Sequence, residues 1–254
     1  MYKIPANTLF IGKNLVFMPE CHSTNTFALD LCQRPSNPAD GTVVITANQS
    51  AGRGQRGSEW QAQPGKNLTF SIILKPHFLS IPDQFYLNVF ASLAIRDYLV
   101  LHECSDIAIK WPNDIYLNDK KVCGMLIENQ LSGNRIDSTV LGIGLNINQE
   151  VFALAKATSL AMNKHQTFDL QTELDTLLPL IESRYLQLKQ GRLAALLGEY
   201  LDSLYWVNEE HTFESAKLGQ FRGTIQGVDQ AGQLKISVEG NDTLFGVKDL
   251  VYLR

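Results

Sequence analysis

Three short segments of the sequence combine residue types that bind anions. The first, residues 52–60 (GRGQRGSEW), places two arginines among three glycines. Glycine lets the backbone approach a ligand closely, and guanidinium groups bind phosphate or carboxylate in forked pairs. The run matches Gly-x-Gly-x-x-Gly, but residues 58–65 are a poor helix, which argues against a dinucleotide-binding loop. The segment predicts either an anion-binding loop or, equally, a mobile surface loop with solvated arginines.

The second segment is Lys-Trp-Pro-Asn-Asp at residues 110–114. Lys110, at the end of a predicted strand, would stabilise charge that develops on a phosphate. Asp114, beyond a rigid proline turn, would hold Mg²⁺ or steer an incoming amine. Considered alone, however, the segment is better explained as an ordinary Pro-Asn-Asp turn.

The third segment, residues 142–148 (GIGLNIN), reads as part of a strand. Its apolar residues share one face, and the other face carries two glycines followed by Asn146 and Asn148. Glycine inside a strand often marks the close approach of a ligand or of another part of the chain. We favour a pocket floor with amide groups at one end over glycines that merely relieve packing.

Composition limits the class of protein. The chain has 254 residues, 44 % of them hydrophobic and 19 % charged, as in a globular protein with a core. A net charge of -4 without a run of like charges argues against a general nucleic-acid binder, although a local basic site is compatible with it. The four cysteines show no metal spacing and are expected to be reduced. No signal peptide or membrane span is evident, so we expect a cytoplasmic protein.

Hydrophobic periodicity predicts the elements that position these segments. Helices are expected at 23–31, 83–102, 170–189 and 193–205. Strands are expected at 42–47, 67–74, 107–111, 115–117, 122–127 and 138–148. This order predicts an α+β fold with a mixed, largely antiparallel sheet and helices, not repeating βαβ units. We expect a main domain at residues 1–206 and a small β-barrel, docked on it, at 207–254.

In this order the segments resemble the bacterial biotin protein ligase family. Family motifs match Ser23-Thr24-Asn25, residues 52–60, residues 110–114 with Lys121 and Gly124, and residues 142–146. The resemblance implies a class II synthetase-like catalytic domain with an SH3-like C-terminal barrel. It also implies an ATP-dependent ligase that forms biotinyl-5'-AMP and passes biotin to a lysine of a biotin carboxyl carrier protein, without a covalent enzyme intermediate.

The resemblance also implies roles for individual residues. The implied biotin-binding residues are Ser23, Thr24, Asn25, Gln49, Gly52, Arg53, Gly54, Gln55, Lys121, Gly124, Gly142 and Gly144. The implied ATP-binding residues are Arg53, Arg56, Trp60, Lys110 and Asn146. The implied catalytic residues are Lys110, Arg53, Asp114 and Lys121, with Asp114 also a candidate ligand for Mg²⁺.

The sequence departs from the family pattern at three places. Gln55 and Ser58 stand where longer forms of the loop have arginine, which bears on how firmly the adenylate is retained. Gly246-Val247 replaces the usual Gly-Glu pair, so no residue of the barrel is given a role. Because the motifs begin at Ser23, without room for the winged helix of regulatory members, we expect a ligase that binds no specific DNA.

Several alternatives remain open at this level. The nearest is a lipoate protein ligase or octanoyltransferase of related fold. A biotin-responsive DNA-binding repressor and a non-catalytic ligand-binding module belong to other classes. The sequence does not decide between a monomer and a homodimer.

Overall fold

The computed structural model describes residues 2–153 and 156–253, without the side chain of Arg56. The strands within these ranges are β1 Leu15–Cys21, β2 Thr42–Gln49, β3 Leu68–Leu74, β4 Ile107–Lys110, β5 Asp114–Leu117, β6 Lys120–Ser132, β7 Arg135–Leu145, β8 Glu210–Ser215, β9 Gly219–Val228, β10 Leu234–Val238, β11 Asn241–Phe245 and β12 Leu250–Leu253. The α-helices are α1 Thr24–Cys32, α2 Tyr86–Leu101, α3 Leu160–Lys164, α4 Leu170–Lys189 and α5 Leu193–Asp202.

The first sheet has the strand order β1-β2-β3-β7-β6-β5-β4. Only the β1–β2 pair within it is parallel, so the predicted mixed, largely antiparallel sheet is confirmed. The three central strands bring the glycines into register, because Gly144 pairs with both Thr69 on β3 and Gly124 on β6. Ser71 pairs with Gly142 in the same way.

Two hairpins build the β5–β6–β7 part of this sheet. Asn118 and Asp119 connect β5 to β6 with φ angles of 48° and 62°. Two left-handed residues in succession make a type I′ turn, whose twist matches that of the strands it joins. Gly133, with φ of 59°, lies in the second turn, between β6 and β7. These short connections fix the register that aligns the glycines.

Helices pack on both faces of this sheet. The side chain of Ser23 caps α1, which packs against β2, β3 and β7. On the other face, α2 lies against α4 and α5 and buries most of its apolar residues in the main core. Helix α5 ends at Asp202, short of the predicted residue 205. The chain leaves the helix there because Ser203 accepts from Ile109 N and Tyr205 donates to Ile109 O, which extends the sheet beside β4.

The second sheet is antiparallel, with the order β11-β10-β9-β8-β12, as expected for the C-terminal β region. It contacts the first part of the chain closely, since Trp111 Nε1 donates to Gly232 O at 2.8 Å. All four cysteines are free thiols; Cys123 is buried and the other three are partly exposed. Within the described residues, no helix combines the length and the apolar character needed to cross a membrane.

Candidate active site

A cavity of about 450 Å³ opens between the first sheet, the N-terminus of α1, the 52–60 loop and the start of β12. Among the predicted site residues whose side chains are described, all except Gly52 and Asn146 line it. Gly52 borders a second cavity along the loop, and Asn146 borders a third that shares Trp60 and Lys121 with the first. The side chain of Arg56 lies outside the described part of the chain.

One wall of the cavity is the first turn of α1. Ser23 Oγ accepts from Thr26 N at 3.4 Å, so the residue that lines the cavity also caps the helix. Thr24 donates from N and from Oγ1 to Gln49 Oε1, at 2.9 and 3.3 Å. These intramolecular bonds fix the orientation of Thr24 and Gln49.

The side-chain amide of Asn25 is fixed by hydrogen bonds, and its position accounts for the glycine at residue 142. Its Nδ2 donates to Leu126 O at 3.1 Å and to Glu128 Oε2 at 2.9 Å, and its Oδ1 accepts from Ser71 Oγ at 2.6 Å. A Cβ at position 142 would overlap Asn25 Oδ1. Gly142 therefore relieves packing against another part of the chain, although it also lines the cavity. Both explanations of the glycine apply at this position, because Asn25 leaves no room for a side chain and the glycine still lines the cavity.

The indole of Trp60 covers the other two glycines. A Cβ at Gly144 would overlap the ring, and one at Gly124 would come within 3.0 Å of it. Lys121 Nζ lies 5.6 Å from the ring centroid. Trp60 Nε1 is buried and has no hydrogen-bond partner within the described residues. The tryptophan thus forms a partition between the first cavity and the one that Asn146 borders.

The prediction that Asn146 and Asn148 share the glycine face of the strand is wrong. Strand β7 ends at Leu145, so Asn146 and Asn148 do not continue its alternation. Asn146 Nδ2 donates to Thr158 O at 3.0 Å, and Asn148 Nδ2 donates to Phe168 O at 2.8 Å. Both amides satisfy backbone carbonyls of the segments that follow the sheet, a common use of asparagine. Only Asn146 borders a cavity named above.

The 52–60 loop folds back on itself as a narrow hairpin. Gly54 N donates to Ser58 O at 2.7 Å and Trp60 N to Gly52 O at 3.0 Å, around a short 3₁₀ turn at Gln55–Gly57. A Cβ at Gly52 would overlap the carbonyl oxygen of Trp60. The loop therefore has a defined conformation in which glycine permits the close backbone contact.

Glu128 ties this loop to the sheet. Arg53 Nη2 lies 2.7 Å from Glu128 Oε1, in an ion pair at the rim of the cavity. Glu128 also accepts from Asn25, so one carboxylate joins the loop to the α1 wall. The sequence reasoning missed Glu128 and also Ser71. The signal was available, because the period of two places Glu128 on the same face of β6 as Gly124, and Ser71 on the same face of β3 as Thr69.

Two lysines contribute positive charge to the cavity. Lys110 Nζ donates to Tyr116 Oη at 3.2 Å. Lys121 Nζ lies 2.7 Å from Asp114 Oδ1 in a partly exposed ion pair. Within the described residues, no three His, Cys, Asp or Glu side chains are grouped as a metal site. Asp114 therefore suits Mg²⁺ only as a single carboxylate beside ligand phosphates, a usual arrangement for this ion.

Cys123 lies beside the cavity residues Lys121 and Gly124, but its side chain is fully buried and does not line the cavity. Burial raises the pKa of its thiol well above the usual range, and this outweighs the opposing effect of Lys121. Reactive cysteines need the thiolate form. The chemistry around the cavity is therefore carried by lysine, arginine and carboxylate groups, without covalent catalysis by this thiol.

The C-terminal sheet also reaches the cavity, which the sequence did not predict. Val247, Lys248, Leu250, Val251 and Tyr252 all line it. No signal in the sequence placed them there, because Gly246-Val247 departs from the family pattern. The cavity is therefore built from both sheets.

Comparison with known proteins gives consistent matches. The family model of the biotin/lipoate A/B protein ligases matches residues 18–146, which include every predicted site residue. The bifunctional ligase/repressor BirA of Bacillus spizizenii is 28 % identical over 238 residues, covering 91 % of this chain and 72 % of that protein. The biotin–[acetyl-CoA-carboxylase] ligase of Mycobacterium tuberculosis is 27 % identical, with 95 % and 90 % covered. A structure of the Aquifex aeolicus biotin protein ligase with biotin and ATP aligns with a TM-score of 0.77 and 27 % identity, over 95 % of this chain and 99 % of that one.

Proposed function

The chain belongs to the biotin/lipoate A/B protein ligase family, and from this premise we propose that it is a biotin protein ligase. It uses ATP to activate the carboxylate of biotin and then transfers biotin to a lysine of a protein. The named relatives and the structure with biotin and ATP favour this function over lipoate or octanoate transfer. The reaction has two steps. A carboxylate oxygen of biotin attacks the α-phosphorus of ATP and pyrophosphate leaves; the lysine amine then attacks the acyl carbon, and AMP and a proton leave.

One observation supports this proposal best. The first cavity, with its polar α1 wall, and the cavity beside Asn146 share Trp60 and Lys121. Two substrates that react at one phosphorus need adjacent sites that meet at a cation, since negative charge develops where they join. We assign biotin to the first cavity and the adenosine part of ATP to the one beside Asn146.

The residue roles follow from this assignment. Ser23, Thr24, Asn25 and Gln49 would bind the polar ring and tail of biotin, with Gly124, Gly142 and Gly144 at the floor. Lys110 would bind the α-phosphate and Lys121 the activated carboxyl oxygens. Trp60 would contact adenine on one side and biotin on the other, and Asn146 would face the nucleotide. Arg56 would reach the phosphates.

Asp114 has two compatible roles in this scheme. Its ion pair with Lys121 holds that cation at the junction of the cavities. When the carrier lysine enters, the same carboxylate would attract its ammonium and orient it. Mg²⁺ would be held mainly by the phosphates of ATP, with Asp114 as its protein ligand, and would neutralise charge on the leaving pyrophosphate.

The acceptor and the compartment complete the proposal. The acceptor would be the biotin carboxyl carrier domain of a biotin-dependent carboxylase, as the name of the mycobacterial relative indicates for that protein. The four free thiols favour a reducing compartment, so we place the protein in the cytoplasm.

Biotin-dependent exchange of labelled pyrophosphate into ATP tests the proposed function. The purified chain is expected to catalyse this exchange with biotin and to be inactive when lipoate replaces it. Transfer to a purified carrier domain, followed by mass spectrometry, tests the second step. Exchange without biotin, or with lipoate alone, would contradict the assignment.

Trypsin tests whether the 52–60 loop closes over the reactants, because Arg53 and Arg56 are cleavage sites within it. We expect cutting to be at least about tenfold slower with biotin and Mg-ATP than in the ligand-free protein, since closure shields a hydrolysable anhydride from water. The adenylate would supply the oxygens that hold the arginines.

The residue at position 55 bears on how firmly the adenylate is held. With Gln55 in place of an arginine, we expect looser retention of the adenylate than in relatives with the longer motif.

A matched pair of variants controls this experiment. Glu128→Gln removes the carboxylate partner of Arg53 and is expected to speed cutting of the ligand-free loop. Glu210→Gln breaks an ion pair with Arg222 in the second sheet and is expected to leave loop cleavage unchanged. Equal cutting rates with and without ligands would show that the loop is not a lid.

A further inference from the structure

The ammonium group of Lys110 lies between aromatic rings from the two sheets. Its Nζ is 5.3 Å from the ring centroid of Tyr116, on β5, and 4.7 Å from that of Tyr252, on β12. Both distances fall within the range of about 6 Å over which a cation is attracted to the face of a ring. Tyr116 also accepts a hydrogen bond from the ammonium. The proposed α-phosphate lysine is thus held in part by the C-terminal sheet.

The ring of Tyr252, rather than its hydroxyl, makes this contact. Its hydroxyl oxygen is buried without a hydrogen-bond partner among the described residues. Burial is also the main reason that the pKa of Tyr252 is raised, with smaller contributions from Tyr116 and Tyr205. The side chain is therefore a neutral phenol, and its electron-rich ring face is what it offers a cation.

Tyr252 is itself fixed in an aromatic cluster. Its ring centroid lies 5.3 Å from that of Phe213 and 5.5 Å from that of Trp206. In the sheet, Tyr252 pairs with Phe213 across β12 and β8. A ring with these neighbours has few other rotamers available. It can therefore define the position of a flexible lysine side chain.

We propose that Tyr252 is a positioning residue for Lys110, through which the C-terminal sheet controls the adenylation step. The proposal rests on the proposed function, in which Lys110 binds the α-phosphate. Lysine has four rotatable bonds, and the ring restricts them so that Nζ points into the cavity. Tyr252 lines the same cavity, but its effect on adenylation is exerted through Lys110. Its loss should lower the turnover of adenylation and leave biotin binding nearly unchanged.

Replacing Tyr252 with methionine removes the ring and largely keeps its apolar volume. We expect kcat for biotin-dependent pyrophosphate exchange to fall about tenfold, the size of effect that one partly desolvated cation–ring contact supports. The KM for biotin should stay within about twofold of the parent value, since the polar groups assigned to the ring and tail of biotin lie on the α1 wall and are unchanged. The conservative variant Tyr252→Phe keeps the ring and is expected to restore most of the activity.

Fluorinated phenylalanines at position 252 supply a second test that keeps the shape of the side chain. Each fluorine weakens the negative face of the ring, so exchange activity should fall stepwise from Phe through mono- to trifluorophenylalanine. Unchanged activity across the series, or a loss in Tyr252→Phe as large as in Tyr252→Met, would overturn the proposal. This series decides the question even if the methionine variant does not fold.

A measurement without catalysis separates this proposal from the proposed function. Acetylation of Lys110 by an activated ester, followed by mass spectrometry, is expected to be faster in Tyr252→Met than in the parent, with Lys120 as an exposed internal reference. If the parent shows no biotin-dependent exchange, the proposed function fails, while the acetylation rates still test the contact. Equal acetylation of Lys110 in both proteins would overturn the positioning role.

Discussion

Lys110→Ala is expected to slow adenylation by on the order of 10²-fold or more, because a fixed cation aimed at developing phosphate charge supplies several kcal/mol. Biotin binding should fall much less, since the amide and hydroxyl groups of the α1 wall remain in place. Single-turnover formation of biotinyl-5'-AMP measures the first effect. Calorimetric titration with biotin measures the second. The expected pattern is a large loss of rate with little loss of affinity.

Two variants make this result specific. Lys120→Ala removes an exposed lysine at the start of β6, in the same sheet, and should leave the adenylation rate unchanged. Lys110→Arg keeps the charge but has a planar fork in place of a compact ammonium, so we expect partial recovery. An adenylation rate within a few-fold of the parent in Lys110→Ala would remove this lysine from the mechanism.

Local patterns in the sequence predicted the elements that carry the site. The turn at Asn118 and Asp119 and the turn at Gly133 are short and chemically distinctive, so both hairpins were predictable. The apolar alternation of the strands then placed Gly142 and Gly144 on the face opposite to the core. Helix α4 follows its periodicity over its whole length. These features depend on neighbouring residues alone.

Contacts between distant segments were not predictable in this way. The end of α5 depends on hydrogen bonds to Ile109, and the occupant of the space above Gly142 is an amide from α1. Residues 142–148 alone do not indicate whether the space beside Gly142 is filled by a ligand or by the side chain of Asn25. The approach of Tyr252 to Lys110 likewise depends on how the second sheet packs on the first. Such contacts require the assembled tertiary structure.

The beginning of the 52–60 loop includes one feature that was predictable from the sequence and one that was not. Its glycines correctly indicated close backbone approach, which occurs between Gly52 and Trp60. Its arginines indicated an anion, and Arg53 does contact a carboxylate, but one that belongs to Glu128. An isolated arginine in a sequence cannot show whether its anionic partner is a ligand or a side chain.

Gly144→Val is expected to weaken biotin binding by on the order of 10²-fold, equivalent to roughly 3 kcal/mol. A Cβ at this position would overlap the indole of Trp60, so the branched side chain must displace the partition or extend into the cavity. In either case the space assigned to biotin is reduced. The strand itself should tolerate the change, because valine favours β structure. Isothermal titration with biotin and thermal unfolding measure the two effects.

Graded and distant substitutions distinguish loss of the site from loss of the fold. Gly144→Ala adds only the Cβ that meets Trp60, so its effect on affinity should be intermediate. Gly198→Ala adds a Cβ in α5 where no atom lies within 4 Å. It should leave biotin affinity unchanged and stabilise the helix by about 0.5–1 kcal/mol. Normal biotin binding by a folded Gly144→Val protein would mean that biotin does not lie on this face of β7, and that its site must be sought on the far side of Trp60.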